Sequence, residues 1–354
     1  MEQDKKLEDI IKNFNQNENG LTSHGIFGLP FGEEESKVVL VPVPWEATVS
    51  YHGGTAEGPK AILDASQQID LYDNLYPNGW QEGIMMQDIP TSIFYNNQHT
   101  KEKVTKYIDK YVEGEIDTEL QDDINKDCEE INKYVKETSL KLINEGKIVG
   151  IVGGDHSVPL GYMEALSEKY DNFGVLHIDA HADLRDAYQG LKYSHASIFF
   201  NALRIKNITK LVQIGVRDFC DEEYNLIQKE KNRISLFTDY DIKKFVFEGG
   251  TLKKKYKEII KCLPKNVYIS FDIDGLMPYL SPNTGTPVMG GFSIEELVFL
   301  FEELLSSDRK VIGFDLCEVA PGIDASGKRS EWDGNVGARV LYKLCLTALK
   351  SQKE

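Results

Sequence analysis

Three short segments of the 354-residue chain gather the side chains that bind hard metal ions. Asp179-Ala180-His181-Ala182-Asp183 follows the apolar run FGVLHI. In an extended segment the side chains at i, i+2 and i+4 share a face. Asp179, His181 and Asp183 are therefore expected to converge at the carboxyl end of a buried strand, where parallel sheets hold their ligands. A second run, VYISF, ends in Asp272-Ile273-Asp274, two more carboxylates on one face. A third, KIVGIVG, leads into Gly153-Gly154-Asp155-His156-Ser157, whose glycines permit a tight turn that aims His156 at the same rim. Carboxylate oxygens mixed with imidazole nitrogens suit manganese, iron or zinc better than calcium or magnesium. Six such ligands are too many for one catalytic ion with an open position. They fit two ions about 3.5–4 Å apart that share a bridging water and lower its pKa. A single Asp-x-Asp is usually a solvated strand end, and Gly-Gly-Asp-His is often only a turn. Three such groups, each closing a buried apolar run, make coincidence a poor account.

The elements that must position these groups are legible as alternation. KVVLVPV (37–43), KIVGIVG (147–153), NFGVLHID (172–179), KLVQIGV (210–216), NVYISFD (266–272) and KVIGFDL (310–316) are short runs rich in Val, Ile and Phe without polar alternation. That is the texture of strands covered on both faces. Helical patterns lie between them: 58–73 with Pro59 near its start, 122–145 with Ile124, Cys128, Ile131, Val135 and Leu142 at helical spacing, a Ser293–Glu296 capping box, and a last helix through GARVLYKLCLTALK. The pattern predicts an α/β fold, a three-layer α/β/α sandwich with a mainly parallel central sheet. The expected organisation is a polar N-terminal arm (1–36) and a single domain (37–354) with a polar helical insertion at about 90–145. Of the histidines outside the three segments, His177 is expected to pack within its strand.

Composition narrows the function. Hydrophobic residues make up 41% of the chain, enough for a substantial core, and the net charge of -17 (40 basic against 57 acidic side chains) argues against a protein that tracks nucleic-acid phosphates. No apolar run approaches the roughly 18 residues of a membrane span. Five scattered cysteines without metal-type spacing suit a reducing compartment. The expectation is a cytoplasmic protein with no nucleic-acid or membrane partner.

GGDHS, DAHAD and SFDID, in this order, resemble the ureohydrolase family of arginases, agmatinases, formimidoylglutamases and guanidino-acid hydrolases. The resemblance extends through VPWEATVSYHGGTAEGPKAILDAS, NTGTP (283–287) and FDLCEVAP (314–321). It implies an arginase-type fold with two Mn2+ per subunit, and a homo-oligomer, a trimer or hexamer. One ion would be held by His156, Asp179, Asp183 and Asp272, the other by Asp179, His181, Asp272 and Asp274. His195 matches the family's proton-shuttling histidine, for which a pKa near the ordinary ~6.5 is expected. Glu318 matches the carboxylate that orients the guanidinium, and Asp183 would pass a proton to the departing amine. DAHADLRDAYQGLKYSHAS follows the agmatinase pattern closely, which makes agmatine, cleaved to putrescine and urea, the leading substrate. Arg185 could instead pair with a substrate carboxylate, favouring arginine or a guanidino acid. Formimidoylglutamases share Asp183-Leu184-Arg185 but usually lack the histidine at 195. Met277 stands where the family usually has an aspartate, so a hydrogen-bond acceptor close to the metal residues is lost. The competing readings are a non-catalytic metal-binding relative and a deacetylase, which shares the fold but lacks the paired DAHAD and SFDID.

Overall fold

The computed structural model describes residues 2–17, 25–49, 52–323, 327–328 and 330–353. Residues 18–24 of the expected arm, and Ser50 and Tyr51 of the matched VPWEATVSYHGG stretch, lie outside the described residues. The strands are β1 (Val38–Val43), β2 (Ile84–Met86), β3 (Ile148–Gly153), β4 (Phe173–Ile178), β5 (Ile208–Ile214), β6 (Ile234–Phe237), β7 (Asn266–Phe271) and β8 (Lys310–Leu316). They form one sheet in the order β2-β1-β3-β8-β7-β4-β5-β6, and every pairing is parallel.

Eleven α-helices accompany them among the described residues: α1 (Glu2–Asn13), α2 (Gly58–Ser66), α3 (Thr91–Val112), α4 (Thr118–Asn144), α5 (Leu160–Lys169), α6 (Ile198–Ala202), α7 (Asp221–Lys229), α8 (Asp239–Phe247), α9 (Leu252–Lys261), α10 (Ile294–Leu305) and α11 (Trp332–Lys350). Adjacent residues of a strand point to opposite faces, and β1 divides accordingly. Val38 and Leu40 join a cluster with residues of α2, α9, α10 and α11, while Val39, Val41 and Val43 join one with residues of α4, α5 and α6. A parallel sheet buried on both faces is the result, as the unalternating apolar runs predict.

The stretch expected as a polar insertion is α3 and α4. α4 buries Ile124, Cys128, Ile131, Val135 and Leu142 and so contributes to the layer over β1 and β3. Asp117 caps it by accepting from the Leu120 N–H, and the Ser293–Glu296 capping box opens α10. The expected arm is not polar throughout, because Ile26, Phe27, Leu29 and Phe31 are buried in the core. The helix expected over 58–73 stops at Ser66.

Candidate metal centre

The carboxyl ends of β3, β4, β7 and β8, the four central strands, converge at one rim. After β3 the chain turns at Gly154, where a Cβ would collide with the Trp45 carbonyl; Asp155 N–H donates to that same oxygen at 2.8 Å. The turn delivers His156, which is buried and whose backbone N–H donates to Glu318 Oε1 at 2.9 Å. His156 Nδ1 lies 3.0 Å from Asp179 Oδ2, 3.3 Å from Asp183 Oδ2 and 3.3 Å from Asp272 Oδ2. Its other nitrogen, Nε2, is 2.9 Å from Ser270 Oγ. Ser270 donates onward to Asp315 at 2.7 Å.

A second group sits beside the first. His181 Nδ1 is 3.0 Å from Asp274 Oδ2 and 3.5 Å from Asp179 Oδ1, so Asp179 is common to both. All six expected ligand residues therefore come together, with one correction to the reasoning. β4 ends at Ile178, and the segment after it is not an extended strand with alternate side chains on one face. Asp183 reaches the rim because its backbone is left-handed (φ 52°), a conformation uncommon outside glycine. Glu318, just past β8, is also left-handed (φ 64°), and its N–H is anchored on the Gly154 carbonyl at 2.8 Å. Strain of this kind persists only where the surroundings enforce it.

Burial and mutual charge shift these groups strongly. Burial and the neighbouring Asp179 raise Asp183 to about 7. Burial, with Asp274 and Asp179 close by, raises Asp272 well above the carboxylate range. Burial and Asp155 do the same to Glu318. Burial opposes charge on His156, yet Asp179, Asp183 and Asp272 hold it well above its ordinary value. Asp179 is held well below its own, against its burial, by His177 and His156. Crowded carboxylates that resist ionising next to imidazoles are what a divalent ion would relieve. The mixture of hard oxygen and imidazole donors fits one. Among the described residues three groups are close enough to hold metal: His156, His177, Asp179 and Asp183; Asp179, His181 and Asp274; and His156, Asp315 and Cys317. The first two share Asp179.

His195 needs a second correction. Its ring lines a cavity of about 210 Å3 together with His156, Asp183, Asp272, Thr286 and Glu318. Burial, reinforced by the His181 charge, pushes it down to about 4, not near 6.5, so the ring is neutral at pH 7. Its backbone N–H donates to Thr48 Oγ1 at 3.3 Å. Arg185 lies at the cavity wall with its guanidinium 5.1 Å from the centre of the Tyr188 ring and 4.0 Å from Glu223. A second chamber of about 680 Å3 shares His181, Asp218 and Thr286 with the first. Met277 is half-buried against the apolar cluster of α9, α10 and α11 and does not line the cavity.

The residues that sequence reasoning missed are the partners of the ligands, His177, Ser270 and Asp315, and Thr48, which holds the His195 backbone. A signal existed for His177, which lies on β4 two residues before Asp179, the spacing at which extended chain shares a face. Nothing local pointed to Asp315 or Thr48, since their contacts are made across long stretches of chain.

The sequence profile of the arginase family matches residues 36–347. N(1)-aminopropylagmatine ureohydrolase of Thermus thermophilus is 34% identical over 298 residues, covering 83% of this chain and 87% of that protein. Agmatinase of Halalkalibacterium halodurans is 30% identical over 296 residues, covering 83% and 88%. In three dimensions, agmatine ureohydrolase of Thermoplasma volcanium superposes with a TM-score of 0.69 at 24% identity, covering 97% of this chain and 98% of that one.

Proposed function

The chain belongs to the arginase family of hydrolases, and on that premise we propose that it cleaves a linear guanidino compound to urea and an amine, foremost agmatine to putrescine and urea. The observation that carries the reading is the convergence of His156, Asp179, His181, Asp183, Asp272 and Asp274 on one rim, beside a cavity that also takes in Glu318 and His195. We assign two Mn2+ to the two ligand groups, with Asp179 and Asp272 shared. When bound, the ions supply Lewis acidity, which makes water a nucleophile at neutral pH.

The protein's own residues do the rest. A guanidinium is planar and cationic, and a carboxylate at Glu318 can accept two of its N–H groups at once and fix its plane. One oxygen of Glu318 is held by the His156 N–H, which limits the rotation of the carboxylate before substrate arrives. Asp183 takes a proton from water as it attacks the guanidinium carbon and delivers it to the departing amine nitrogen. His195, neutral at pH 7, accepts and returns a proton at the cavity wall, with its backbone tied to Thr48.

A second reading of the substrate has its own support. Beside the cavity lies the larger chamber, and Asp218, on the wall between the two, is solvent-exposed. An amine tail longer than that of agmatine would find room and a counter-charge there, and the Thermus relative is named for an aminopropyl-extended agmatine. Urea release from agmatine, N1-aminopropylagmatine, arginine, guanidinobutyrate, guanidinopropionate and guanidine by manganese-loaded protein tests both readings. Agmatine or its extended form should lead. A kcat/KM for arginine equal to or above theirs would overturn the substrate assignment.

We also propose a single domain over 37–354 behind its N-terminal arm, a homo-oligomer (trimer or hexamer), and a cytoplasmic site of action. Five unpaired cysteines support a reducing compartment. Among the described residues no helix is long and apolar enough to cross a membrane.

A further inference from the structure

None of the roles above uses His177, a histidine buried at 0% exposure in β4. Strand register sets it between Gln213 on β5 and Ser270 on β7, so a polar row crosses the sheet and continues through Ser270 to Asp315. Gln213 Nε2 donates to the Ala182 carbonyl at 2.7 Å and lies 3.0 Å from His177 Nδ1. The Ala182 contact fixes the orientation of the amide, since a flipped Gln213 would set oxygen against oxygen there. An amide nitrogen has only protons to offer, so His177 Nδ1 accepts and the ring proton resides on Nε2. His177 Nε2 is 2.8 Å from Asp179 Oδ2 and therefore donates to it. Phe199 packs on the ring with centroids 4.0 Å apart and keeps it in place.

Asp179 is the carboxylate common to the two ligand groups. Its Oδ1 accepts from the His181 N–H at 2.5 Å, and its Oδ2 faces both His156 and His177. We propose that His177, held as its Nε2–H tautomer by Gln213, is a positioning residue that locks the Asp179 carboxylate in the one orientation serving both metal ions. The inference rests on the reading of Asp179 as a shared ligand. Partners that orient a ligand from behind typically set metal affinity.

The test compares His177→Phe, which keeps a ring and removes the donor, with His177→Gln, which keeps an N–H at about the reach of Nε2. Mn2+ affinity is measured by calorimetric titration of chelator-stripped full-length protein, with circular dichroism as the check on folding. His177→Phe should weaken Mn2+ binding by about 10- to 100-fold, and His177→Gln should recover most of the loss. Affinity of His177→Phe within twofold of wild type, or no recovery in His177→Gln, would overturn the inference alone. A wild type that takes up no Mn2+ would overturn the ligand reading and this inference with it. Should His177→Phe fail to fold, nitrogen-15 NMR of histidine-labelled, metal-stripped wild type decides. The neutral Nε2–H pattern for His177 supports the proposal, and the Nδ1–H pattern sinks it.

Discussion

Replacing Glu318 by Gln should separate activity from stability, because the same carboxylate serves one and burdens the other. Gln keeps the volume and leaves an oxygen to accept the His156 N–H that Glu318 now holds at 2.9 Å. It leaves the backbone bond to the Gly154 carbonyl untouched. What disappears is the negative charge that Glu318 would take on opposite a bound guanidinium. Removing one partner of a buried, hydrogen-bonded charge pair costs about 2–4 kcal/mol, a fall in kcat/KM of roughly 30- to 900-fold. Stability moves the other way. Glu318 is buried and faces the charge of Asp155, so its folded pKa lies well above 4.5. The folded wild type then keeps a proton that the unfolded chain has released, and its stability falls as pH rises above about 4.5. Gln does not titrate, so metal-stripped Glu318→Gln should match wild type near pH 4.5 and melt at a higher temperature by pH 8. Urea release with manganese-loaded protein and thermal melts of stripped protein read the two effects. A kcat/KM within threefold of wild type at equal metal content, or a lower melting temperature at pH 8, would refute the reasoning.

Metal-stripped protein should lose stability as pH rises from about 5 to 8. Burial and neighbouring charge raise Asp183 to about 7, and burial raises Asp155 to about 6, so each binds a proton in the folded state that the unfolded chain has lost. His156 and His181 are raised above 6.5; their contribution is complete below that value and fades as pH climbs toward their folded values, in the same direction. Saturating Mn2+ should flatten the trend, because it takes carboxylate and neutral imidazole; melts in chelator that are level or rise with pH would contradict this. Gly154→Ala drives a Cβ into the Trp45 carbonyl and should cost about 1–3 kcal/mol of stability while displacing His156. Calorimetry should show weakened Mn2+ binding in that variant, and undiminished affinity would mean the turn does not set the ligand.

How much of this was legible in the sequence depended on whether the signal was local. Six of the eight strands stand out as apolar runs of six or seven residues, but β2 and β6 have only three and four, too few for any period to register. The periodicity over 58–73 outruns its helix because Leu71 returns to the same core from a non-helical segment. Averaging over 1–36 hid Ile26, Phe27, Leu29 and Phe31, four apolar residues inside a polar stretch. At the site, ligand types and spacings were visible, yet the left-handed turns at Asp183 and Glu318 were not, since neither residue type demands them. The depressed pKa of His195 was equally hidden, being set first by burial in the folded chain and then by the His181 charge.

The strand order has a consequence for how the protein is made. β7 and β8 are the last strands synthesised, yet they occupy the middle of the sheet, wedged between β3 and β4. His156 follows β3 and Asp179 follows β4, so the scaffold that sets these two groups side by side is incomplete until residues 266–316 have been inserted. A nascent chain that has left the ribosome only as far as β6 carries four of the six ligands without the scaffold that brings them together. It has no closed sheet and two exposed strand edges where β7 and β8 belong, the surfaces most prone to mispairing. Assembly of the ligand groups is thereby deferred until the polypeptide is nearly complete, and a chain broken off early lacks Asp272 and Asp274.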